Sequence, residues 1–419
     1  MADGFIIDKI SELVGTRGAF LEGVVAVPFE HQGGCMIRTA SIRICRLALF
    51  AMGISLFTAS SRADDKLLEE TVGFTGTVLF LQTRVPALVI GVVRDGKTAV
   101  FGFGKIADGS NETPDRHTIL RVGSLTNAFT GQVFASLLAD GTVKLTDRLQ
   151  DRIGWDVTIP TLGGHQITLI DLATHSSGLP REVEREPGPA DDPFSTLTPE
   201  AYRKGLASNP LVFAPGTGAL YSNFGFDVLA AALAHTAGKQ YDVLLHERVL
   251  DPLGLGDTML SLRADDRAHL LQGHDFDGKP LPTVPTPLIA AGASGLYSTP
   301  DDILRWLSWH LDRFASKDAA VRIPDHTAYL QRDGLDPVYG LDESGQMDAV
   351  ALGWIVMEPH GDLPLILQKA GGLQGIFCYT AFAPTRGIGA FVAINKFDFA
   401  AAMAMASTVN HLIGELAPR

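Results

Sequence analysis

Ser124 and Asn127 lie three residues apart in the stretch "RVGSLTNAFTG", residues 121–131, at the start of an apolar-periodic helix. The N-terminus of a helix favours negative charge, which suits a serine that acts as a nucleophile. A lysine at position 127 would share a helix face with Ser124 and could take its proton. The chain has asparagine there, which is neither basic nor charged. Because serine is a favoured N-cap residue, this stretch alone also fits an ordinary capped helix.

Two further segments carry side chains that could complete such a site. The segment "PGTGALYSNFGF" places Tyr221 and Asn223 just before a helix, and "QKAGGLQGIFCYTAF" places Lys369 at or just before a glycine turn that leads into a strand. A serine hydroxyl needs a proton acceptor, donors for the oxyanion and a group that protonates the leaving atom. Taken singly, Tyr221 and Asn223 could instead cap the next helix, and Lys369 could be a solvated turn residue.

Composition restricts the class of protein. The chain has 419 residues, of which 46% are hydrophobic and 19% charged, as in a soluble globular enzyme with one large domain or two lobes. Its net charge of −13 argues against nucleic acid as a partner, because phosphate binding needs clustered Lys and Arg. The sequence has no Gly-x-Ser-x-Gly nucleophile elbow, no zinc-type Cys/His spacing and no phosphate-binding loop.

The N-terminal segment resembles an export signal. Three arginines from Arg38 to Arg46 precede a mostly apolar run over residues 47–59, and small residues flank Arg62 just before Asp64. This order predicts a secretory signal peptide at residues 36–63 and a periplasmic protein of the Gram-negative type. The apolar run is too short to span a bilayer, so the mature chain is expected to have no stable membrane span. Residues 1–35 are then an upstream extension, and residues 64–419 form a single catalytic domain.

The mature chain has one cysteine, Cys378, because Cys35 and Cys45 lie in the part that is removed. No intrachain disulfide can form, and Cys378 is most simply a small buried residue on a strand.

Strand-like segments occur at both ends of the mature chain, and a mostly helical block over about residues 121–290 separates them. The strands include "VPALVIGVV" near the N-terminus and "IFCYTAFAP" and "GIGAFVAIN" near the C-terminus, where a final helix follows. The pattern predicts an α/β fold of the α+β type. A mixed, mainly antiparallel sheet is built from both ends, is flanked by helices and carries an inserted helical lobe.

In this order and separation, the three motifs resemble the serine β-lactamase and penicillin-binding-protein superfamily, in its class C-like branch. That branch includes class C β-lactamases, D-Ala-D-Ala carboxypeptidases and endopeptidases, and related esterases. Its signatures are Ser-x-x-Lys, Tyr-x-Asn and Lys-Thr-Gly or His-x-Gly. Here they read Ser124-Leu125-Thr126-Asn127, Tyr221-Ser222-Asn223 and Lys369-Ala370-Gly371, and the resemblance extends from about Gly73 to Leu416.

The resemblance implies a role for each matching residue. Ser124 would attack the carbonyl and become acylated, and Tyr221 would act as, or with, the general base and protonate the leaving nitrogen. Asn223 would hold the substrate amide. Lys369 would bind the substrate carboxylate and lower the pKa of Tyr221. The backbone N–H groups of Ser124 and Gly372 would form the oxyanion hole, and Gly371 and Gly372 would let the strand approach the substrate. No metal ion or organic cofactor is implied, and oligomeric state has no signal in the sequence.

Asn127 departs from the family pattern, because it occupies the position of the missing lysine. Loss of a general base typically costs about 10²–10⁴-fold in rate, so impaired activity is expected. The asparagine is either a substitution introduced to trap a complex, which we favour because the other motifs are intact, or a natural variant with weak or altered activity.

Three functions remain open at this point. The first is a serine hydrolase that acts on β-lactams or D-Ala-D-Ala peptidoglycan peptides. The second is an esterase on the same scaffold, and the third is a non-catalytic protein that binds β-lactams or muropeptides.

Overall fold

A computed structural model describes residues 66–189 and 191–417. The predicted extension over residues 1–35 and the predicted signal peptide over residues 36–63 lie outside the described residues. Both remain predictions, as does the assignment of residues 64–419 to a single domain.

An eight-stranded antiparallel sheet forms the centre of the fold. Its strands are β1 Ala87–Arg94, β2 Lys97–Gly104, β8 Leu330–Gln331, β10 Ala349–Val350, β11 Ile355–Met357, β12 Ile366–Leu373, β13 Ile376–Ala383 and β14 Ile388–Ile394. Their order across the sheet is β2-β1-β14-β13-β12-β11-β10-β8. The N-terminal strands β1 and β2 pair with the C-terminal strands through β14, as the sequence predicted for a sheet built from both ends.

Three short strand pairs lie outside this sheet. Their bounds are β3 Leu120–Arg121 with β7 Tyr297–Ser298, β4 Thr161–Leu162 with β5 His165–Gln166, and β6 Ala219–Leu220 with β9 Val338–Tyr339. The first two pairs are antiparallel, and β6 with β9 is parallel.

The helices mostly belong to the inserted lobe. They are α1 (66–83), α2 Thr126–Ala139, α3 Leu149–Arg152, α4 Leu169–Ala173, α5 Pro199–Ala207, α6 Asn223–Ala237, α7 Tyr241–Leu245, α8 Asp251–Leu253, α9 Pro300–Leu311, α10 Ala319–His326 and α11 Phe399–Leu416. Two helix ends have clear caps: Gly238 closes α6 with φ +65°, and Asp398 caps α11 by accepting a hydrogen bond from the Ala401 N–H. No helix among the described residues is both long and apolar enough to cross a membrane.

Both faces of the large sheet are covered by helices. Successive side chains of β1 alternate between the two cores, since Leu88 and Ile90 belong to one hydrophobic cluster and Val89 and Val93 to the other. The first cluster includes residues of α1 and α11, which are the N-terminal and C-terminal helices of the described chain. The second is covered by α2 and α9 and continues into the helical lobe. A sheet buried on both faces gives the site a rigid base.

Candidate active site

Ser124 lies on a 3-10 turn, Gly123–Leu125, between strand β3 and helix α2. Its side chain makes no capping hydrogen bond to α2, because the N-cap position is taken by Leu125. The simple capping role is therefore not observed. Gly123 has φ +51°, a conformation that favours glycine, and it sets the direction in which the turn leaves β3.

Strand β12 passes directly against this turn, and its glycines make that approach possible. A Cβ on Gly371 would lie 2.0 Å from the Val122 carbonyl oxygen, and a Cβ on Gly123 would lie 2.7 Å from the Gly372 nitrogen. The Gly372 N–H is therefore next to the Ser124 turn, where the motifs predict the oxyanion hole. On the neighbouring strand β13, the buried Cys378 thiol donates to the Val122 oxygen at 3.2 Å.

Replacing Gly371 with alanine is expected to displace the Ser124 turn and destabilise the protein by about 1–3 kcal/mol, because overpacking forces backbone to move. The melting temperature and the acylation rate should both fall. Gly256→Ala is the matched control, since nothing lies within 4 Å of a Cβ at that position. A Gly371→Ala protein that melts and reacts like the Gly256→Ala protein would show that the close approach is not required.

The Tyr221 hydroxyl lies among three polar side chains. It is 3.0 Å from Asn127 Oδ1 and 3.1 Å from Asn223 Oδ1, and Ser124 lines the same cavity as Tyr221. Ser124, Asn127, Tyr221 and Asn223 are thus brought together in the fold, although residues 127 and 221 are 94 positions apart.

The orientation of both amides is fixed by their other hydrogen bonds. Asn127 Nδ2 donates to the Ala293 carbonyl oxygen at 3.1 Å, so Oδ1 must point to Tyr221. Asn223 Nδ2 donates to Glu182 Oε1 at 2.6 Å, which likewise turns its oxygen to the phenol. A flip of either amide would set two oxygens against each other. The phenol therefore faces two acceptors.

This environment stabilises the neutral phenol of Tyr221. Burial raises its pKa above the ordinary value of about 10, and the two amide oxygens cannot stabilise a phenolate. The nearby Ser124 hydroxyl and the charge of Arg181 lower the pKa but do not offset burial. With Asn127 in place, Tyr221 is a poor proton acceptor at neutral pH.

Lys369 lies inside strand β12 and not at a turn, which corrects the prediction from the sequence. Its two following glycines are part of the strand, and the turn comes later at 374–375. The side chain is 3% exposed, so Lys369 is not a solvated turn residue. Its ammonium nitrogen lies 4.7 Å from the centre of the Tyr221 ring.

Burial and the nearby Arg181 lower the pKa of Lys369 to about 7, and Glu343 opposes this shift. Lys369 is therefore only partly charged at neutral pH. Burial raises the pKa of Tyr221 by more than its surroundings lower it, and the lowering comes from Ser124 and Arg181. That Lys369 also lowers the pKa of Tyr221 stays a prediction.

Sequence reasoning missed two residues that contact Tyr221. The Arg181 guanidinium carbon lies 4.7 Å from the Tyr221 ring centre, and the His175 ring centre lies 4.6 Å from it. His175 accepts a hydrogen bond at Nδ1 from the Ser222 N–H, and burial lowers its pKa well below the usual range, so it is neutral. Its φ of +57° is uncommon for a residue with a side chain. The segment "THSSGLPR" carried both residues, but only the fold shows what they touch.

A cavity of about 540 Å³ opens beside these residues. Its polar lining includes Ser124, Tyr221, Arg181 and Lys369, and an apolar wall continues along β13 and α11. The apolar residues of this wall are Phe377, Phe397, Phe399, Ala402 and Met403. The volume is in the range of small-molecule sites.

The comparison with protein families agrees with this arrangement, since the Beta-lactamase profile matches residues 64–415. The chain belongs to the beta-lactamase family. It is 38% identical to the D-alanyl-D-alanine-carboxypeptidase/endopeptidase AmpH of Escherichia coli (strain K12) over 329 residues, which cover 78% of this chain and 83% of that protein. It is 26% identical to a beta-lactamase of Pseudomonas fluorescens over 351 residues, which cover 78% and 94%.

The fold also resembles that of a solved structure. It is the beta-lactamase/D-alanine carboxypeptidase of Yersinia pestis complexed with citrate, with a TM-score of 0.76 and 33% sequence identity. The match covers 84% of this chain and 98% of that one. The predicted fold class is confirmed by this neighbour and by the antiparallel sheet with its flanking helices.

Proposed function

We propose that this member of the beta-lactamase family is a periplasmic serine hydrolase that forms an acyl-enzyme at Ser124. Its substrates are D-Ala-D-Ala peptides of peptidoglycan, and β-lactams acylate the same serine. The observation that supports this most is the meeting of Ser124, Tyr221 and Lys369 at one cavity, next to the Gly372 N–H.

In the proposed reaction, Ser124 Oγ forms an ester bond with the substrate carbonyl carbon. The C–N bond of the terminal peptide breaks, and the serine proton reaches the leaving nitrogen through the Tyr221 hydroxyl. The N–H groups of Ser124 and Gly372 donate to the carbonyl oxygen as it becomes negative. Water then cleaves the ester and releases the acid.

Two cationic side chains at the cavity favour a substrate with a carboxylate. Lys369 is buried, and Arg181 stacks on Tyr221 with Glu343 3.7 Å away, so a bound carboxylate would give these cations a further partner that a neutral ester does not provide. A C-terminal D-alanine and a β-lactam both carry such a carboxylate. For this reason we favour peptidase activity over hydrolysis of simple esters as the function.

A second candidate, a non-catalytic protein that binds β-lactams or muropeptides, is favoured by Asn127. Its Oδ1 accepts from Tyr221 and so opposes the phenolate, which leaves the serine with a weak base. The cavity and its charges would still bind the ligand.

A comparison of three substrates tests the proposal. The chain and its Asn127→Lys variant would be assayed for D-alanine release from a pentapeptide muropeptide, for opening of a chromogenic cephalosporin and for hydrolysis of a neutral aryl ester. D-Alanine release in the lysine variant, faster than ester hydrolysis, is the expected result. Ester hydrolysis without D-alanine release would overturn the assignment, and tight muropeptide binding without turnover in either protein would establish the non-catalytic function.

Ligand affinity should depend on pH through Lys369. Its pKa of about 7 in the free site means that the cation is lost above about pH 7, and a ligand carboxylate binds the cation more strongly than the neutral amine. Affinity should therefore fall by up to about tenfold per pH unit above that value. Calorimetry of penicillin binding to Ser124→Ala, in which no ester forms, would measure it from about pH 6 to about pH 9.

The matched control for this titration is the double variant Ser124→Ala/Lys369→Arg. Arginine stays charged throughout this pH range, so the affinity of the double variant for penicillin should not change with pH. A constant affinity in the lysine protein as well would show that Lys369 does not bind the carboxylate.

Export should remove the predicted signal peptide. Protein recovered from the periplasm of a Gram-negative host is expected to begin near Asp64, because Ser61 and Ala63 are the small residues that signal peptidase needs. N-terminal sequencing measures this. Periplasmic protein with residues 1–63 intact would contradict it.

A further inference from the structure

Three side chains of types that can ligate a metal ion lie together at the ends of helices α9 and α10, away from the cavity of Ser124. His310 is near the end of α9, and Asp325 and His326 are the last two residues of α10. His310 Nδ1 is 2.7 Å from His326 Nε2, and each nitrogen is 3.5 Å from Asp325 Oδ2. A point about 2 Å from all three atoms therefore exists, and this is the bond length of zinc to imidazole and carboxylate.

From this geometry we propose that His310, Asp325 and His326 bind a divalent transition-metal ion of the zinc class. Two imidazoles and one carboxylate form a donor set that suits such ions and leaves a position for water. This site is separate from the proposed hydrolase site and does not depend on it.

The carboxylate of Asp325 supports the proposal, because its hydrogen bonds do not account for its burial. Asp325 is 0% exposed. Its Oδ2 accepts one bond of 3.3 Å from Trp354, and its Oδ1 has no hydrogen-bond partner among the described residues. The nearby Arg322 donates to the carbonyl oxygens of Ala315 and Lys317. A buried carboxylate of this kind is costly unless it is paired or coordinates a metal.

The two helix ends and the surroundings also suit a cation. Helix C-termini carry partial negative charge, and both α9 and α10 end here. Trp306, Trp354 and Phe382 pack around His310 and keep it dry, whereas the His326 side chain is 17% exposed and gives water a path to the ion.

A metal at this position would join α9 and α10 behind the catalytic helix. Helix α10 packs against α2, and Trp306 of α9 stacks on Phe129 of α2 with ring centres 4.0 Å apart. Helix α2 begins directly after the Ser124 turn, so the metal would stabilise the base of the active site without taking part in its chemistry.

The test uses tag-free full-length protein that has been treated with a chelator and then given Zn²⁺ or Co²⁺. We expect one metal ion per chain by elemental analysis, a rise in melting temperature with Zn²⁺, and a visible Co²⁺ absorption typical of a four-coordinate site. His326→Ala and Asp325→Asn should lose the Co²⁺ spectrum. His246→Ala should keep it, since His246 lies beside Asp251 on the surface and makes the matched control.

The unmodified chain decides the outcome even where a variant does not fold. Failure of this chain to take up either metal above background overturns the proposal. A Co²⁺ spectrum that is unchanged in a folded His326→Ala protein also overturns it, because the metal would then bind elsewhere.

Discussion

Asn127→Lys is expected to raise the rate of Ser124 acylation by at least about 10²-fold, the low end of general-base assistance. Lysine would replace the amide oxygen that now accepts from Tyr221 with an ammonium or amine nitrogen. The charged form stabilises a phenolate at Tyr221, and the neutral form takes a proton from Ser124. Both changes remove the opposition to proton transfer that Asn127 imposes.

The site can accommodate that lysine. The Ala293 carbonyl oxygen, which now accepts from Asn127, and Asn223 Oδ1 are available as acceptors for an ammonium, which limits the cost of burying it. Ala293 is itself held in place, because its N–H donates to the buried Asp227 at 2.9 Å. Lysine also has a higher helix propensity than asparagine, so the substitution should not destabilise α2.

Rapid-mixing kinetics with a chromogenic cephalosporin would measure acylation in both proteins, with thermal melts to compare their folds. Asn127→Met is the matched control, because methionine is a long, flexible side chain like lysine without its charge or basicity, and it should give no gain. Equal acylation rates in the unmodified chain and an equally stable Asn127→Lys variant would mean that Asn127 is no defect and that the enzyme uses another base.

Ser124→Ala is expected to abolish covalent labelling by penicillins and fluorophosphonates, both in the unmodified chain and in combination with Asn127→Lys. Loss of the hydroxyl removes the only atom at this position that can form the ester. Ser344 lines the same cavity, so Ser344→Ala is the matched control and should still be labelled. Intact-mass and peptide mass spectrometry would locate the adduct. An adduct on another serine in Ser124→Ala would remove the assignment.

The proposed catalytic residues could be selected from the sequence because short local motifs carry them. Ser124, Tyr221 and Lys369 each stand in a segment of a few residues with a recognisable order, and the fold brings those segments to one cavity. Strands β1, β13 and β14 could be predicted too, since they are apolar runs near the two ends of the mature chain.

The environment of Lys369 could not be predicted in this way. Two successive glycines after the lysine are typical of a turn, yet here they lie within strand β12. Position 371 requires glycine because the Val122 carbonyl oxygen leaves no room for a Cβ. That requirement comes from a segment about 250 residues away. The lowered pKa of Lys369 also depends on residues that are distant in the sequence, because burial in the fold and the charge of Arg181 cause it.

The orientation of the Asn127 side chain also could not be predicted from the sequence. Its type predicts that a base is missing, but only the hydrogen bond to the Ala293 oxygen shows that Oδ1 faces Tyr221. Likewise, the grouping of His310 with Asp325 and His326 has no signal in their spacing and results from the packing of two helix ends.

The central claim is that burial and the acceptor oxygen of Asn127 together hold Tyr221 as a neutral phenol, and an NMR titration of Tyr221 tests it most directly. Protein labelled with ¹³C at tyrosine Cζ would be titrated with and without Asn127→Lys, and the Tyr221 signal would be assigned by its loss in Tyr221→Phe. We predict that Tyr221 of the unmodified chain stays protonated beyond the ordinary tyrosine pKa of about 10, and that lysine at position 127 lowers its midpoint. A Tyr221 that ionises at or below about 10 with Asn127 in place would contradict the claim.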